Sequence, residues 1–363
     1  MNIWALCRTC INNEIPDTNI DFSFNYYKSD PLDKIDINNI QKRKKEIPGL
    51  SNFEGNCYLN SVLQCFYYCD DLTKYFIDND IEIMKKNGKL SNSYLNLILR
   101  LNENEKYNNA KNFLKTLQEV SLYFFKKGGN DPKAVLFYLL ENFHNELNEK
   151  NLNYNEEDIC CEGFDQEKVF KKCKDNEQYN KSIISELFNW CLMTSNECIK
   201  CGKIHYKCEY RNHILIELKS YKTGDEFVSL IDLIKFYFQD NIQNFICNFT
   251  NNNNIEILKC NFTQKIMSLP QYLIIILNRD IIQYNVIYDD IIDLSEYCLD
   301  KNNAKYKFIG VTLTNDFGYK KSTHAIARCI TPKGSFIFND LYTIKSCADI
   351  DGYNPYILFY KKI

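Results

Sequence analysis

A cysteine hydrolase needs a thiolate nucleophile, a base that makes and holds it, and a group that orients the base. Histidine is the usual base because its pKa lies near the operating pH. The chain has 17 cysteines but only 4 histidines, so the histidines discriminate better. His144 stands among apolar residues at helical spacing and reads as a packing or hydrogen-bonding side chain. His205 and His213 follow a Cys-x-x-Cys element and read as surface residues or distant metal ligands. His324 opens the β-type segment "HAIARCI". Past the turn Pro332-Lys333-Gly334 comes "FIFND", which carries Asn339. A hairpin of that size can place Asn339 beside His324 on the neighbouring strand. An amide there would hold one imidazole nitrogen and leave the other for a thiol. An ordinary hairpin with a histidine at its edge gives the same pattern, so the pair alone leaves both readings open.

The stretch "GLSNFEGNCYLNSVLQCFYYC" (49–69) separates one thiol from the rest. Cys57 follows Gly55-Asn56, and Leu59, Val62, Leu63 and Phe66 continue at helical spacing. A thiol at the N-terminus of a helix lies in the positive field of that end, which favours the thiolate. Gly55-Asn56 allows a close backbone approach with exposed N–H groups, as an oxyanion hole requires. Asn52 offers a side-chain amide to the same hole. A buried cysteine at a helix start satisfies the local pattern too, since free cysteine commonly serves as a small hydrophobe.

The elements that must position these residues divide the chain in two. Leu59–Phe76, Leu95–Leu101, Asn112–Phe125 and 131–150 read as amphipathic helices. In the last of these, Asp131 can cap and Pro132 suits the first helical position. Residues 148–180 read as charged loop. From about 182 the segments "HILIEL", "QYLIIIL", "KFIGVTL", "HAIARCI", "SFIFND" and "YILFY" are short, β-rich and separated by turn residues. "LIDLIKFYF" (230–238) is a helix between them. Helices first and strands later predict an α+β fold. A helical part covers about 49–180 and a β-rich part about 181–363, together one domain over 47–363. Residues 1–46 form an extension with no assigned role.

Bulk properties exclude several classes. A hydrophobic content of 45% with 25% charged residues is globular rather than disordered. A net charge of −3 gives no nucleic-acid footprint. The start "MNIWALCRTC" lacks the basic and apolar regions of a secretory signal, and runs such as Tyr272–Leu277 are too short to span a bilayer. A cytoplasmic or nuclear location with mostly reduced cysteines is expected, with no membrane partner. The run "QKRKKE" reads as a solvated linker rather than a nuclear-localisation signal.

The residues resemble the ubiquitin-specific proteases, papain-like cysteine peptidases that remove ubiquitin. The family's cysteine box G-L-x-N-x-G-N-T-C-Y-x-N-S-x-L-Q is met by Gly49 to Gln64, with Glu54-Gly55-Asn56 in place of Gly-Asn-Thr. "DPKAVLFYLLENFHNEL" (131–147), "SIISELFNWCLMTSNECIKCG" (182–202), "SLPQYLIIILNRD" (268–280) and "FIFND…NPYILFYKK" are similar to later family segments, in family order. Thr323-His324-Ala325 stands where Gly-His-Tyr is usual. The resemblance implies a papain-like fold with a helical subdomain followed by antiparallel β-rich subdomains. It implies Cys57 as nucleophile, His324 as base and Asn339 as the residue that orients it. Asn52 is then an oxyanion donor and Asp340 an adjacent acid that polarises water or the oxyanion site. The implied partner is ubiquitin or a ubiquitinated protein, and catalysis needs no cofactor.

Cys198-x-x-Cys201-Gly202 is a zinc-knuckle pattern, with the glycine letting the backbone turn under the metal. The family resemblance implies a second pair near Cys247, but Thr250 stands where the fourth thiolate would be. Cys198, Cys201, Cys247 and Cys260 are the expected set for a structural zinc, with Cys208 and His205 as alternative fourth ligands. Cys7-x-x-Cys10 has no evident partner pair. Three rival readings stand: a catalytically weak or inactive ubiquitin-binding module of this fold, a peptidase for another ubiquitin-like modifier, and a metal-binding interaction protein.

Overall fold

The computed structural model describes residues 47–363 except 54, 103–109, 126–130, 149–160, 179, 222–225, 248–255, 280–284, 300–302, 316–323, 347 and 351. The expectations for residues 1–46, including Cys7, Cys10 and the basic run, lie outside the described residues, as do those for Thr250 and Thr323. The first half is helical: α1 (Cys57–Tyr67), α2 (Asp70–Asp78), α3 (Asp80–Lys85), α4 (Lys89–Asn102), α5 (Lys111–Val120), a 3-10 turn (Leu122–Phe125) and α6 (Pro132–Leu147). α6 starts as its sequence dictates. Asp131 is extended and accepts from the Lys133 N–H, and Pro132 occupies the first turn. The expected single helix over 59–76 is instead two. The Cys69 N–H turns back to the Phe66 carbonyl at 3.1 Å. α2 then restarts with Asp70 and Asp71 in its first turn, where the helix dipole favours acids.

The second half alternates short helices with strands: β1 (Glu162–Gly163), α7 (Gln166–Gln178), α8 (Ile183–Phe188), β2 (Trp190–Cys198), β3 (Ile204–Arg211), β4 (Ile214–Glu217), β5 (Phe227–Ser229), α9 (Leu230–Tyr237), β6 (Asn241–Cys247), β7 (Glu256–Ser268), β8 (Tyr272–Asn278), β9 (Asn285–Ile287), β10 (Ile291–Asp293), β11 (Lys305–Thr314), β12 (Ala325–Thr331), β13 (Gly334–Asn339), β14 (Tyr342–Lys345) and β15 (Asn354–Lys362). Helices then β-sheets make the chain α+β, as expected from the sequence. The larger sheet runs β14-β13-β12-β11-β15-β8-β4, with β10 added on β11. It is antiparallel except where β4 pairs with β8. A smaller sheet runs β1-β3-β2-β7-β6.

The larger sheet is buried on both faces, which explains why "YLIIIL" reads as an unbroken apolar run. Tyr272, Ile274 and Ile276 pack into the helical core with α1, α4 and α6. Leu273, Ile275 and Leu277 pack on the other side, with α9. α1 is buried from Cys57 to Phe66. It lies between α6 and the β11–β12 ladder. A helix apolar nearly all round belongs in a core, and Leu59→Ala there would cost about 2–5 kcal/mol.

The smaller sheet was the least legible. β3, β6 and β7 bury few apolar residues, with Ile242, Ile246 and Ile257 exposed, whereas β2 buries Trp190, Leu192 and Met193. The charged loop expected over 148–180 contains α7. Only Val169 and Cys173 of α7 are buried, too few to show a helical period. Among the described residues, no helix is long and apolar enough to cross a membrane.

Residues 47–50 are strapped to the loop after β13. The Leu50 N–H donates to the Asp340 carbonyl at 2.9 Å, and Thr343 Oγ1 donates to the Ile47 carbonyl at 3.3 Å. Gly49 passes so close that a Cβ would stand 2.5 Å from the carbonyl oxygens of Asp340 and Leu341. Gly49→Ala is therefore expected to cost about 1–3 kcal/mol by overpacking against backbone. Urea denaturation would show a lower midpoint, and an unchanged midpoint would mean the strap is not tight.

Candidate active site

Cys57 begins α1 and is 5% exposed. The turn before it needs a left-handed residue, and Gly55 supplies it with φ +81°. That accounts for a glycine at 55. Asn56 precedes the helix, and its carbonyl accepts from the N–H groups of Leu59 and Asn60 at 3.0 Å each. Its side chain accepts from the Phe53 N–H at 2.7 Å and donates to Asn60 Oδ1 at 3.2 Å. Asn60 in turn donates to the carbonyls of Leu50 and Ser51. The turn in front of Cys57 is thus fixed by the side-chain amides of Asn56, just before the buried helix, and Asn60, on it.

His324 arrives from the opposite half of the chain, one residue before β12. Its N–H donates to Asn315 Oδ1 at 2.8 Å, and its carbonyl accepts from the Asn315 N–H at 3.3 Å. β12 and β13 pair as the predicted hairpin, with Ala327 opposite Phe338. Asn339 ends β13, and its Oδ1 lies 2.7 Å from His324 Nε2. With Nε2–H donating to that oxygen, Nδ1 is left for sulfur. The Cys57 thiol is hydrogen-bonded to the imidazole. Burial alone would push the His324 pKa down. The hydrogen bond and charge of Cys57, then Asn339 and the Asp340 carboxylate, outweigh it and raise the value to about 10.

Asp340 adjoins His324 and turns its carboxylate toward Asn52. It is a non-glycine residue at φ +51°, immediately after β13. Oδ2 accepts from the Asn52 amide at 2.8 Å, and Oδ1 accepts from the Asn60 amide at 2.8 Å. Oδ2 is 3.9 Å from His324 Nε2. Asn52 accepts from the N–H groups of Gly55 at 3.1 Å and Asn56 at 3.0 Å. Asn52 and Asp340 therefore hold the two boxes together across 288 residues of sequence. The Asn56 side chain, Asn60 and Asn315 were missed as contributors; asparagine beside the first turn of an otherwise apolar helix was the available signal for the first two. Asp340→Ala removes the acceptor for two amides, and a misplaced site is expected to lose about 10²-fold in kcat/KM. Asp340→Asn, which keeps one acceptor oxygen, should fall between; wild-type turnover in Asp340→Ala would show that the hub is dispensable.

The remaining histidines are placed away from this site. His144 is buried, with Nδ1 2.7 Å from Ser182 Oγ and Nε2 3.1 Å from Asn180 Oδ1. Burial lowers its pKa, so it is held neutral as a packing residue. His213 packs against Phe137, and His205 lies between Phe164 and Phe245.

Among the described residues, two groups of three cysteines could hold a metal ion: Cys198, Cys201 and Cys247, and Cys173, Cys191 and Cys208. In the first, Cys201 Sγ is 3.7 Å from Cys247 Sγ. Gly202 takes φ +67° and sends its N–H to the Cys198 carbonyl at 2.8 Å, the turn a knuckle needs. Burial opposes ionisation of Cys198, but the N–H of Cys201, the Cys201 thiol, the N–H of Lys200 and the Cys247 thiol outweigh it and lower its pKa. This donor set fits a soft divalent metal such as zinc. Cys260 does not join the group. It stands opposite Cys198 in the β2–β7 ladder, but its thiol turns to Asn196 Oδ1 at 3.2 Å. Cys208 belongs to the second group, and His205 to neither.

Comparison with known proteins agrees with this architecture. Residues 48–360 match the family model described as ubiquitin carboxyl-terminal hydrolase. The chain is 27% identical over 214 residues to the "Probable ubiquitin carboxyl-terminal hydrolase 1" of Schizosaccharomyces pombe, covering 54% of this chain and 25% of that one. It is 27% identical over 195 residues to the "Putative ubiquitin carboxyl-terminal hydrolase 11" of Arabidopsis thaliana, covering 52% and 22%. The chain thus spans about a quarter of the length of these curated relatives. Among solved structures, the SAGA DUB module containing Ubp8, bound to monoubiquitin, matches with a TM-score of 0.65 at 16% identity, covering 88% of this chain and 70% of that one. A second structure of that module, bound to ubiquitin aldehyde, gives 0.63 at 15% identity, covering 92% and 74%. These two share the fold. With the family model matched over 48–360, the chain belongs to the ubiquitin carboxyl-terminal hydrolase family.

Proposed function

We propose that this chain is a deubiquitinating cysteine peptidase that hydrolyses peptide or isopeptide bonds at the C-terminal glycine of ubiquitin. The observation that carries this reading is the group Cys57, His324 and Asn339, with the thiol hydrogen-bonded to the imidazole and Asn339 Oδ1 2.7 Å from Nε2. Family membership supports the reaction class. The ubiquitin-bound state of the similar modules supports the substrate.

Cys57 Sγ attacks the glycine carbonyl carbon as a thiolate while the imidazole carries the proton. The carbonyl oxygen becomes an oxyanion at the N-terminus of α1, where the helix field and first-turn N–H groups stabilise negative charge. Asn52 spends one amide hydrogen on Asp340 and has a second to donate. Collapse of the tetrahedral adduct breaks the C–N bond, and His324 gives its proton to the departing amine. A thioester to Cys57 remains. Water then attacks it, His324 takes the water proton, and the sulfur leaves as thiolate. Asn339 keeps the ring in place through both half-reactions.

The test is release of a fluorophore amide-linked to the C-terminus of ubiquitin, beside the same fluorophore on a short tail peptide and on other ubiquitin-like modifiers. The reading predicts turnover of the ubiquitin conjugate above the others. Turnover of another modifier alone would reassign the substrate. One observation favours a second reading, ubiquitin binding with weak catalysis: the Asn52 amide is turned to Asp340. Tight binding of ubiquitin with no turnover would support it.

A further inference from the structure

Beneath the smaller sheet lies a sulfur-rich core, with Phe170, Tyr206, Tyr210 and Met267 packed half-buried against it. Its buried members are Cys161, Val169, Cys173, Cys191, Met193 and Cys208. Cys173 comes from α7, Cys191 from β2, Cys208 from β3, and Cys161 from the residue before β1. The thiols of Cys173, Cys191 and Cys208 all lie within 4.8 Å of one another. Cys161 lies outside that group but next to it: its carbonyl accepts from the Cys208 N–H at 2.8 Å, and its thiol is hydrogen-bonded to that of Cys173. Asn176 Nδ2 donates to the same Cys161 sulfur at 3.3 Å.

Four cysteines packed only as small hydrophobes would be a poor solution here. α7, "QEKVFKKCKDNEQ", fully buries only Val169 and Cys173, with Phe170 half-buried beside them, and has little other apolar surface to hold it on the sheet. A cross-link through its one cysteine would do what burial does not. We infer that Cys161, Cys173, Cys191 and Cys208 form a four-thiolate structural zinc site that clamps α7 to the base of the smaller sheet. The site is separate from the knuckle at Cys198 and Cys201. Tetrahedral zinc with Zn–S bonds of about 2.3 Å sets sulfurs about 3.8 Å apart. Cys173 and Cys191 stand 3.9 Å apart. Cys191 and Cys208 stand 2.9 Å apart, so that pair opens by about 0.9 Å on binding. The set is all thiolate, which selects zinc over magnesium or calcium.

Zinc content of the purified full chain tests this. A variant with Cys198→Ser, Cys201→Ser and Cys247→Ser is expected to keep one zinc per chain, and adding Cys173→Ser is expected to remove it. Cobalt substituted into the triple variant should give the thiolate-to-cobalt absorption of a tetrahedral sulfur site. Cys161→Ser should weaken that band without abolishing it. These readouts do not depend on Cys173→Ser folding. A folded triple variant that holds no zinc and gives no cobalt band would overturn the inference. So would a native Cys191–Cys208 disulfide found by thiol mapping in a zinc-free chain.

Discussion

Cys57→Ala is expected to abolish release of fluorophore from the ubiquitin C-terminal conjugate, a loss of about 10⁴-fold or more. Removal of the nucleophile leaves only binding and the oxyanion site, which cannot form the thioester. The variant should still fold, because one sulfur at the edge of the α1 core is a small loss beside Leu59, Val62 and Phe66. Unchanged thermal stability with no turnover is the expected pair of results. Residual turnover near wild type would move the nucleophile to another thiol. Cys65 and Cys69 are the nearest along α1 and the turn after it, but burial raises both their pKa values. Their thiols are turned into the core, where Cys69 donates to the Cys65 carbonyl and Cys65 faces Cys329.

His324→Ala carries the second large effect, about 10²–10⁴-fold in kcat, the usual worth of a positioned acid–base group. Its pH dependence separates a catalytic from a structural role. The folded imidazole holds its proton up to about 10, against about 6.5 for an unperturbed histidine. A group that must donate a proton to the leaving amine fails once that proton is gone. The wild-type kcat/KM is therefore expected to stay level from neutral pH and to fall as pH rises through the His324 value. In His324→Ala the residual rate should lack that alkaline limb. An alkaline limb retained in the variant would mean another group supplies the proton.

Much of this site was legible in the sequence, for physical reasons. A thiol at a helix start, an imidazole opening a strand and an amide across the next turn are each tied to local structure. The hairpin β12–β13 and helix α1 follow from turn chemistry and apolar period. The Asp340 hub was not legible, because its partners Asn52 and Asn60 lie 288 and 280 residues away and nothing local links them. Strands β3, β6 and β7 of the smaller sheet and α7 were missed for a common reason. They bury few apolar residues, so periodicity has nothing to report. The metal set failed at its fourth member. The ladder does bring Cys260 opposite Cys198, but where its thiol points is a matter of tertiary contact with Asn196.

The central claim is that Cys57 is the nucleophile toward a ubiquitin C-terminus. Ubiquitin carrying an electrophile in place of its terminal carboxylate tests it most directly, with the adduct weighed intact and then mapped by peptide mass. The account predicts a single covalent adduct on Cys57, formed in wild type, slowed in His324→Ala and absent in Cys57→Ala. An adduct on any other cysteine, or none with the wild-type chain folded, would contradict it.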